Sequence, residues 1–185
     1  MEESAFLEPV KALQAVGLSE GMRVADLGAG SGFFTRAAAR MVGPTGVVWA
    51  VDIQGDLLTR IKNLSMVEGL TNVEIVRGDI ELAKGSHLPE SWFDVVLLSN
   101  VLFSLEDRRV ALEEAQRIAL PGGRVVVIDW SGSFDGMGPH PDHVIQAEDV
   151  RALCEEVGFE CIQELPVGTF HWGFIVRKKS PLSAQ

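Results

Sequence analysis

Short apolar runs, each too brief for a helix, recur along this chain with a helical pattern between them, and that alternation narrows the fold more than any other feature. Residues 23–27, 47–51, 73–76, 93–98 and 124–128 are dominated by Val, Ile, Leu and Ala, with little sign of a polar face. Strands apolar on both sides belong to a parallel sheet covered on both sides. Between the first two runs, Phe34, Ala37, Ala38 and Met41 recur at helical spacing. Leu57, Ile61 and Leu64 form a second such face, and a further helix is predicted around 108–119. Gly43-Pro44-Thr45-Gly46, Gly69 and Pro121-Gly122-Gly123 punctuate the pattern. The end of the chain differs. A helix over 147–158 leads into strands at 159–165 and 169–176, joined by Pro166-Val167-Gly168. So short a connection permits only an antiparallel hairpin. The predicted fold is α/β: an open, mostly parallel sheet with helices on both faces, closing in that hairpin.

The 185 residues suit one domain, assigned to 1–179, with 180–185 expected to be a disordered tail. An apolar fraction of 46% excludes a disordered chain, and two cysteines exclude a disulfide scaffold. Cys154 falls on the helical stripe Val150, Leu153, Cys154, Val157 and Cys161 in a strand, so both are expected to be buried free thiols. The net charge of −10 repels phosphate backbones and anionic lipid heads, which argues against a nucleic-acid partner and against a membrane surface. No apolar run reaches the 18 or more residues that span a bilayer, so no membrane insertion is expected. The acidic Met1-Glu2-Glu3-Ser4 start is unlike a secretory signal, and a cytoplasmic location is the expectation.

The strongest local signal is Val24-Ala25-Asp26-Leu27-Gly28-Ala29-Gly30-Ser31-Gly32. Three glycines follow a strand and open a helix, which permits a tight turn and close approach of a ligand. A dinucleotide fingerprint needs its third glycine at position 33, where this chain has Phe33, so a nicotinamide oxidoreductase is disfavoured. Asp26, two residues before the first glycine, opposes a pyrophosphate and favours a cationic ligand. Asp52 ends the second predicted strand, twenty residues after Gly32. A carboxylate there either caps the next helix or accepts both hydroxyls of a ribose. Asp79, in Arg77-Gly78-Asp79-Ile80, follows the third strand and serves either turn geometry or the exocyclic amine of a purine. All three acids fall at carboxyl ends of consecutive parallel strands, the edge at which open α/β sheets bind ligands. The ligand so described is cationic near the loop and carries a ribose and an adenine-like base. S-adenosylmethionine has that chemistry.

At this point the chain resembles the class I S-adenosylmethionine-dependent methyltransferases, within them the small-molecule branch similar to ubiquinone/menaquinone and arsenite methyltransferases. The resemblance rests on VADLGAGSGFFT (24–35), VWAVDI (48–53), RGDI (77–80), FDVVLLSNVLFSLED (93–107), LPGGRVVVIDW (120–130), EEVGF (155–159) and FHWGFIVRK (170–178). It implies a Rossmann-like seven-stranded sheet of order 3-2-1-4-5-7-6 with strand seven antiparallel. It also implies roles. Asp26, Gly28, Ala29, Gly30 and Gly32 would face the methionine part of the cofactor, Asp52 would hold the ribose, and Ile53 would pack on adenine. Asp79 and the backbone of Ile80 would read the adenine edge, while Ser99 and Asn100 would lie along the methionine tail.

Methyl transfer from a sulfonium is an in-line displacement on an activated donor. It requires positioning and exclusion of water, and a base only where the acceptor must lose a proton. No catalytic residue is therefore compulsory, and none is assigned. The Asn/Asp-Pro-Pro-Tyr element of amino-group methyltransferases is absent, the corresponding place reading Ser99-Asn100-Val101-Leu102. The acceptor pocket is expected above the fourth and fifth strands, from Phe103 and the loop 130–143, which holds Trp130, Phe134, Met137, His140 and His143. His140 and His143 are either a base or solvent-exposed loop residues, and their His-x-x-His spacing without a cysteine cluster gives no metal site. Many members of the branch carry a histidine pair where this chain has Phe103-Ser104, and the arsenite branch relies on pocket cysteines that this chain does not place, so arsenite is disfavoured. About twenty residues precede the first strand, which leaves the pocket open or completed by a second copy of the chain in a homo-oligomer. The reading is a methyltransferase acting on a small-molecule acceptor. Its alternative is a catalytically silent S-adenosylmethionine-binding partner or sensor module.

Overall fold

The structure is a computed structural model and describes residues 7–134 and 136–179; the tail expected at 180–185 lies outside the described residues. The chain alternates in the predicted order. Helix α1 (Pro9–Val16) precedes strand β1 (Arg23–Leu27), which leads to α2 (Phe33–Val42), β2 (Val47–Asp52), α3 (Gly55–Val67) and β3 (Val73–Arg77). Then come β4 (Phe93–Ser99), α4 (Arg108–Ile118), β5 (Ala119–Trp130), α5 (Ala147–Val157), β6 (Phe159–Glu164) and β7 (His171–Lys178). The seven strands form one sheet of order β3-β2-β1-β4-β5-β7-β6, in which β7 runs antiparallel to both neighbours.

Burial accounts for the apolar strands. Val24, Val95, Leu97, Val126 and Ile128 pack with α1, α2 and α3 on one face. Their neighbours Ala25, Leu27, Val96, Leu98, Val125 and Val127 pack with α4 and α5 on the other. Alternate side chains of each strand thus enter two different cores. The Ala37-Ala38-Ala39 run lets α2 lie close to the sheet, and all three alanines are buried. Helix α4 starts where the Asp107 carboxylate accepts from the Val110 N–H at 3.2 Å.

Two boundaries differ from the sequence reading, both for backbone reasons. Strand β5 begins at Ala119 rather than after the Pro121-Gly122-Gly123 turn. Phe93 pairs with Ala119 and Val95 with Arg124, so the Pro-Gly-Gly segment forms a bulge within the strand, with Gly122 at φ +76°. In the hairpin, β7 begins at His171 because residues 165–170 form a loop that turns Leu165 and Val167 inward to the core.

Strand order reverses between β1 and β4: β2 and β3 extend to one side, β5 and β7 to the other. The crossovers leaving β1 and β4 therefore diverge, and a cleft opens outside their carboxyl ends.

Candidate functional site

The glycine loop lines this cleft because its backbone has nowhere else to go. The Gly28 and Ala29 N–H groups both donate to the Val51 carbonyl, at 2.9 and 3.0 Å, which ties the end of β1 to β2. Gly28 sits at φ +73°, and a Cβ there would meet Val101 Cγ2 at 2.3 Å, so the turn is open only to glycine. Gly30 donates its N–H to Asp52 Oδ2 at 2.9 Å, and Gln54 donates to Asp52 Oδ1 at the same distance. Asp52 therefore braces both the loop and Gln54, the residue just before α3. A carboxylate offers about four acceptor positions, so capacity remains for ligand hydroxyls.

Asp26 is 2% exposed, and its Oδ2 accepts from Thr35 Oγ1 at 2.5 Å. Burial pushes this carboxyl up to about 6; the neighbouring Asp52 charge adds to the rise and the Thr35 hydroxyl opposes it. Asp79 Oδ1 accepts from the Glu81 N–H at 3.0 Å, which fixes the turn after β3. Asn100, just past β4, takes the left-handed conformation at φ +53° and donates its backbone N–H to the Ile128 carbonyl at 2.8 Å. Its side-chain Oδ1 is buried with no hydrogen-bond partner.

Two cavities meet here. The smaller, about 240 Å³, lies against Asp52, Ile53, Asp79, Ile80 and Leu57. The larger, about 620 Å³, lies against Asp26, Ser99, Phe33, Phe34, Trp130 and His171. Gly28, Gly30 and Asn100 line both and form the divide. Ala29 and Gly32 face the larger one. Every residue expected to contact the cofactor thus borders one cavity or the other. Ile53 is 55% exposed, an apolar shelf at the mouth of the smaller one.

The expected acceptor residues divide. Trp130 lines the larger cavity. Phe103 lines neither; its N–H donates to Asp129 Oδ2 at 3.1 Å, which pins the turn after β4 to β5. Asp129 is buried, and that burial pushes its carboxyl up to about 6 against the N–H groups of Trp130 and Phe103. His140 and His143 are exposed on the loop after β5, their rings 6.3 Å apart, and line neither cavity. Phe134 turns back to Met137 through a pair of backbone hydrogen bonds and packs on Phe170 with ring centroids 4.7 Å apart. Among the described residues no group of His, Cys, Asp and Glu could hold a metal ion.

Sequence reasoning missed His171. It carried no motif, and only its pairing with Trp130 across β5 and β7 brings it to the cleft. The signal available in the chain was a polar residue opening the apolar stretch 172–176 of the final strand.

The donor and acceptor inventory suits S-adenosylmethionine. Asp26, Asp52, Asp79 and the orphaned Asn100 Oδ1 offer acceptors, and among the described residues no Lys or Arg lines either cavity. Such a cleft favours a cation bearing hydroxyls and disfavours phosphates.

Known proteins share the sequence pattern and the fold. The family model described as "Methyltransferase domain" matches residues 18–175. A ubiquinone/menaquinone biosynthesis C-methyltransferase (UbiE) of Burkholderia multivorans is 35% identical over 111 residues, 60% of this chain and 44% of that protein. The chain thus spans less than half the length of the curated relatives it matches. A SAM-dependent methyltransferase of Aquifex aeolicus superposes with a TM-score of 0.84 at 29% identity, covering 94% of this chain and 90% of that one. CrArsM, an arsenic(III) S-adenosylmethionine methyltransferase of Chlamydomonas reinhardtii, gives 0.69 at 27% identity, over 89% of this chain and 65% of that one.

Proposed function

This chain belongs to the methyltransferase-domain family, and from that premise we propose that it transfers the methyl group of S-adenosylmethionine to a small, uncharged organic acceptor. One observation carries the reading. Acceptor groups from three strand ends, with an unpartnered amide oxygen between them, border two cavities that meet at the glycine loop, and no cationic side chain intrudes.

S-adenosylmethionine would supply a methyl activated on its sulfonium, which passes to the acceptor's lone pair as the methyl–sulfur bond breaks and S-adenosylhomocysteine leaves. The protein's part is placement. Asp52, held by the Gly30 and Gln54 N–H groups, keeps its remaining lone pairs for the ribose hydroxyls. Ile53 and Ile80 provide apolar contact for the base, with Asp79 at its polar edge. Asp26 and Asn100 Oδ1 take the ammonium of the methionine tail, which satisfies an oxygen that otherwise has no partner. The larger cavity then holds the acceptor. Arsenite fits poorly: Cys154 is buried in the core, its thiol pushed up to about 12 by burial, Cys161 is exposed on the edge strand, and neither lines a cavity.

Among the described residues no helix is long and apolar enough to cross a membrane. Two unpaired thiols suit a reducing compartment, and on that support the protein is assigned to the cytoplasm. The net charge supports the absence of a nucleic-acid partner. An open larger cavity leaves room for a second copy of the chain to complete it.

The test is direct. S-adenosylhomocysteine at a hundred times its Kd should stabilise the protein by about 2.7 kcal/mol, while NADH at the same concentration should leave it unchanged. Asp52→Ala should weaken the nucleoside by about 1–3 kcal/mol through unpaired hydroxyls. Stabilisation by NADH alone, or undiminished binding by Asp52→Ala, would overturn the assignment. Tight nucleoside binding with no methyl transfer across cell extract and labelled donor would leave the protein a binding module.

A further inference from the structure

The larger cavity contains one feature that cofactor binding does not use. His171 is 8% exposed, and both ring nitrogens are buried with no hydrogen-bond partner. A buried polar group left unpaired costs about 1–3 kcal/mol, so native structures seldom retain one without cause. Here the ring borders a cavity. Burial pushes its pKa down to about 4, so at neutral pH the imidazole is uncharged, with one N–H to donate and one lone pair to accept. Trp130 lies beside it with ring centroids 4.3 Å apart at a tilt of 36°, which restricts the imidazole plane.

The surroundings define what such a ring can recognise. Leu7, Pro9, Phe33, Phe34 and Trp130 give the same cavity apolar, largely aromatic walls suited to a flat molecule. Among the described residues Asp26 is the charged side chain that borders it, and an anionic guest would meet that carboxylate with no described cation to balance it. A guest with no polar group would leave both imidazole nitrogens unsatisfied.

Resting on the methyltransferase reading, we propose that His171 is the specificity-determining residue for the methyl acceptor: its neutral ring hydrogen-bonds an uncharged protic group on a flat apolar molecule, and the site rejects an anionic group in that place. The acceptor group so held is fixed relative to the glycine loop and Asn100, which border the same cavity. His171 acts by recognition and positioning.

Three probes of one shape separate the contributions: 2-naphthol, naphthalene and 2-naphthoate, titrated into the full chain saturated with S-adenosylhomocysteine. The expected order is 2-naphthol at least tenfold tighter than naphthalene, with 2-naphthoate weakest. His171→Phe should bring 2-naphthol down to the affinity of naphthalene while changing naphthalene less than threefold. An independent readout needs no variant: in protein labelled with 15N-histidine, 2-naphthol should shift the His171 ring nitrogens and naphthalene should not. Equal affinity of the wild-type protein for 2-naphthol and naphthalene, tighter binding of 2-naphthoate, or His171 resonances unmoved by saturating 2-naphthol would each overturn the proposal. If S-adenosylhomocysteine itself fails to bind, the methyltransferase reading falls and this inference with it; if it binds and the naphthol effects are missing, the inference alone falls.

Discussion

The two cavities of the cleft are made from different materials. The smaller is lined mostly by residues at or just past the ends of β2 and β3, with the turns after β1 and β4 closing it, and is cross-braced by the Asp52 carboxylate. The larger draws its distinctive walls from places far apart in sequence: Leu7 and Pro9, Phe33 and Phe34, Trp130 and His171. One is a local product of strand ends. The other exists only after the sheet has closed, because His171 reaches the cleft through antiparallel pairing of the last strand. If the comparison is right, the divide between them should tolerate least. Gly28→Ala places a methyl 2.3 Å from Val101 Cγ2 at φ +73°. Left-handed strain and overpacking together should destabilise the ligand-free protein by about 2–5 kcal/mol in urea denaturation. Gly30→Ala, at φ +52° but with no atom nearer than 4.0 Å, should lose only the strain, about 1–2 kcal/mol. Equal losses would mean that the close packing of the divide is not what fixes the loop.

The same contrast explains what could be read before the structure. The apolar strands, the closing hairpin and the acids Asp26, Asp52 and Asp79 at strand ends follow from apolar runs and turn residues, signals confined to a few neighbouring positions, whereas the strand order, observed as β3-β2-β1-β4-β5-β7-β6, was implied only by the family resemblance. That the Asp52 carboxylate braces the glycine loop became visible only through the Gly30 contact, since cap and ligand-binding carboxylates look alike in sequence. The left-handed Asn100 was legible as a position, though its unsatisfied oxygen was not. His171 was invisible because a lone histidine opening a strand has no periodicity or spacing to mark it. The β5 bulge was hidden for a related reason: Pro-Gly-Gly reads as a turn unless the strand on its far side, β4, is already in place.

A second experiment sharpens the comparison through charge. In the ligand-free protein Asp26 is raised to about 6, above its unfolded value, so the folded state holds a proton that the unfolded chain releases. Its contribution to stability is complete below about pH 4 and is lost as pH rises through 6; Asp129, raised for the same reason, acts in the same direction. Ligand binding reverses the sign. An ammonium beside Asp26 favours the carboxylate, so binding expels a proton and affinity should fall as pH drops below 6, by up to about tenfold per unit. Titrations of S-adenosylhomocysteine between pH 5 and 7.5 would show this slope, and Asp26→Asn should flatten it. A pH-independent affinity would remove Asp26 from the ammonium site and leave Asn100 to hold it alone.

The smallest expected effect concerns the loop after β5, where sequence and structure point to different histidines. His140 and His143 stand exposed, and His140 Nδ1 lies 3.4 Å from Asp142 Oδ2, a surface contact of little energetic weight. His140 Nδ1 also accepts from the exposed Asp142 N–H at 3.4 Å, a bond that water can replace, so His140→Ala and His143→Ala, singly or together, should change nucleoside affinity and 2-naphthol affinity by less than about twofold. A larger loss of 2-naphthol binding in the double variant, with nucleoside binding intact, would show that the loop folds over the larger cavity when a guest is present. The acceptor half of the cleft would then be completed by motion, in contrast with a cofactor half already fixed by its backbone.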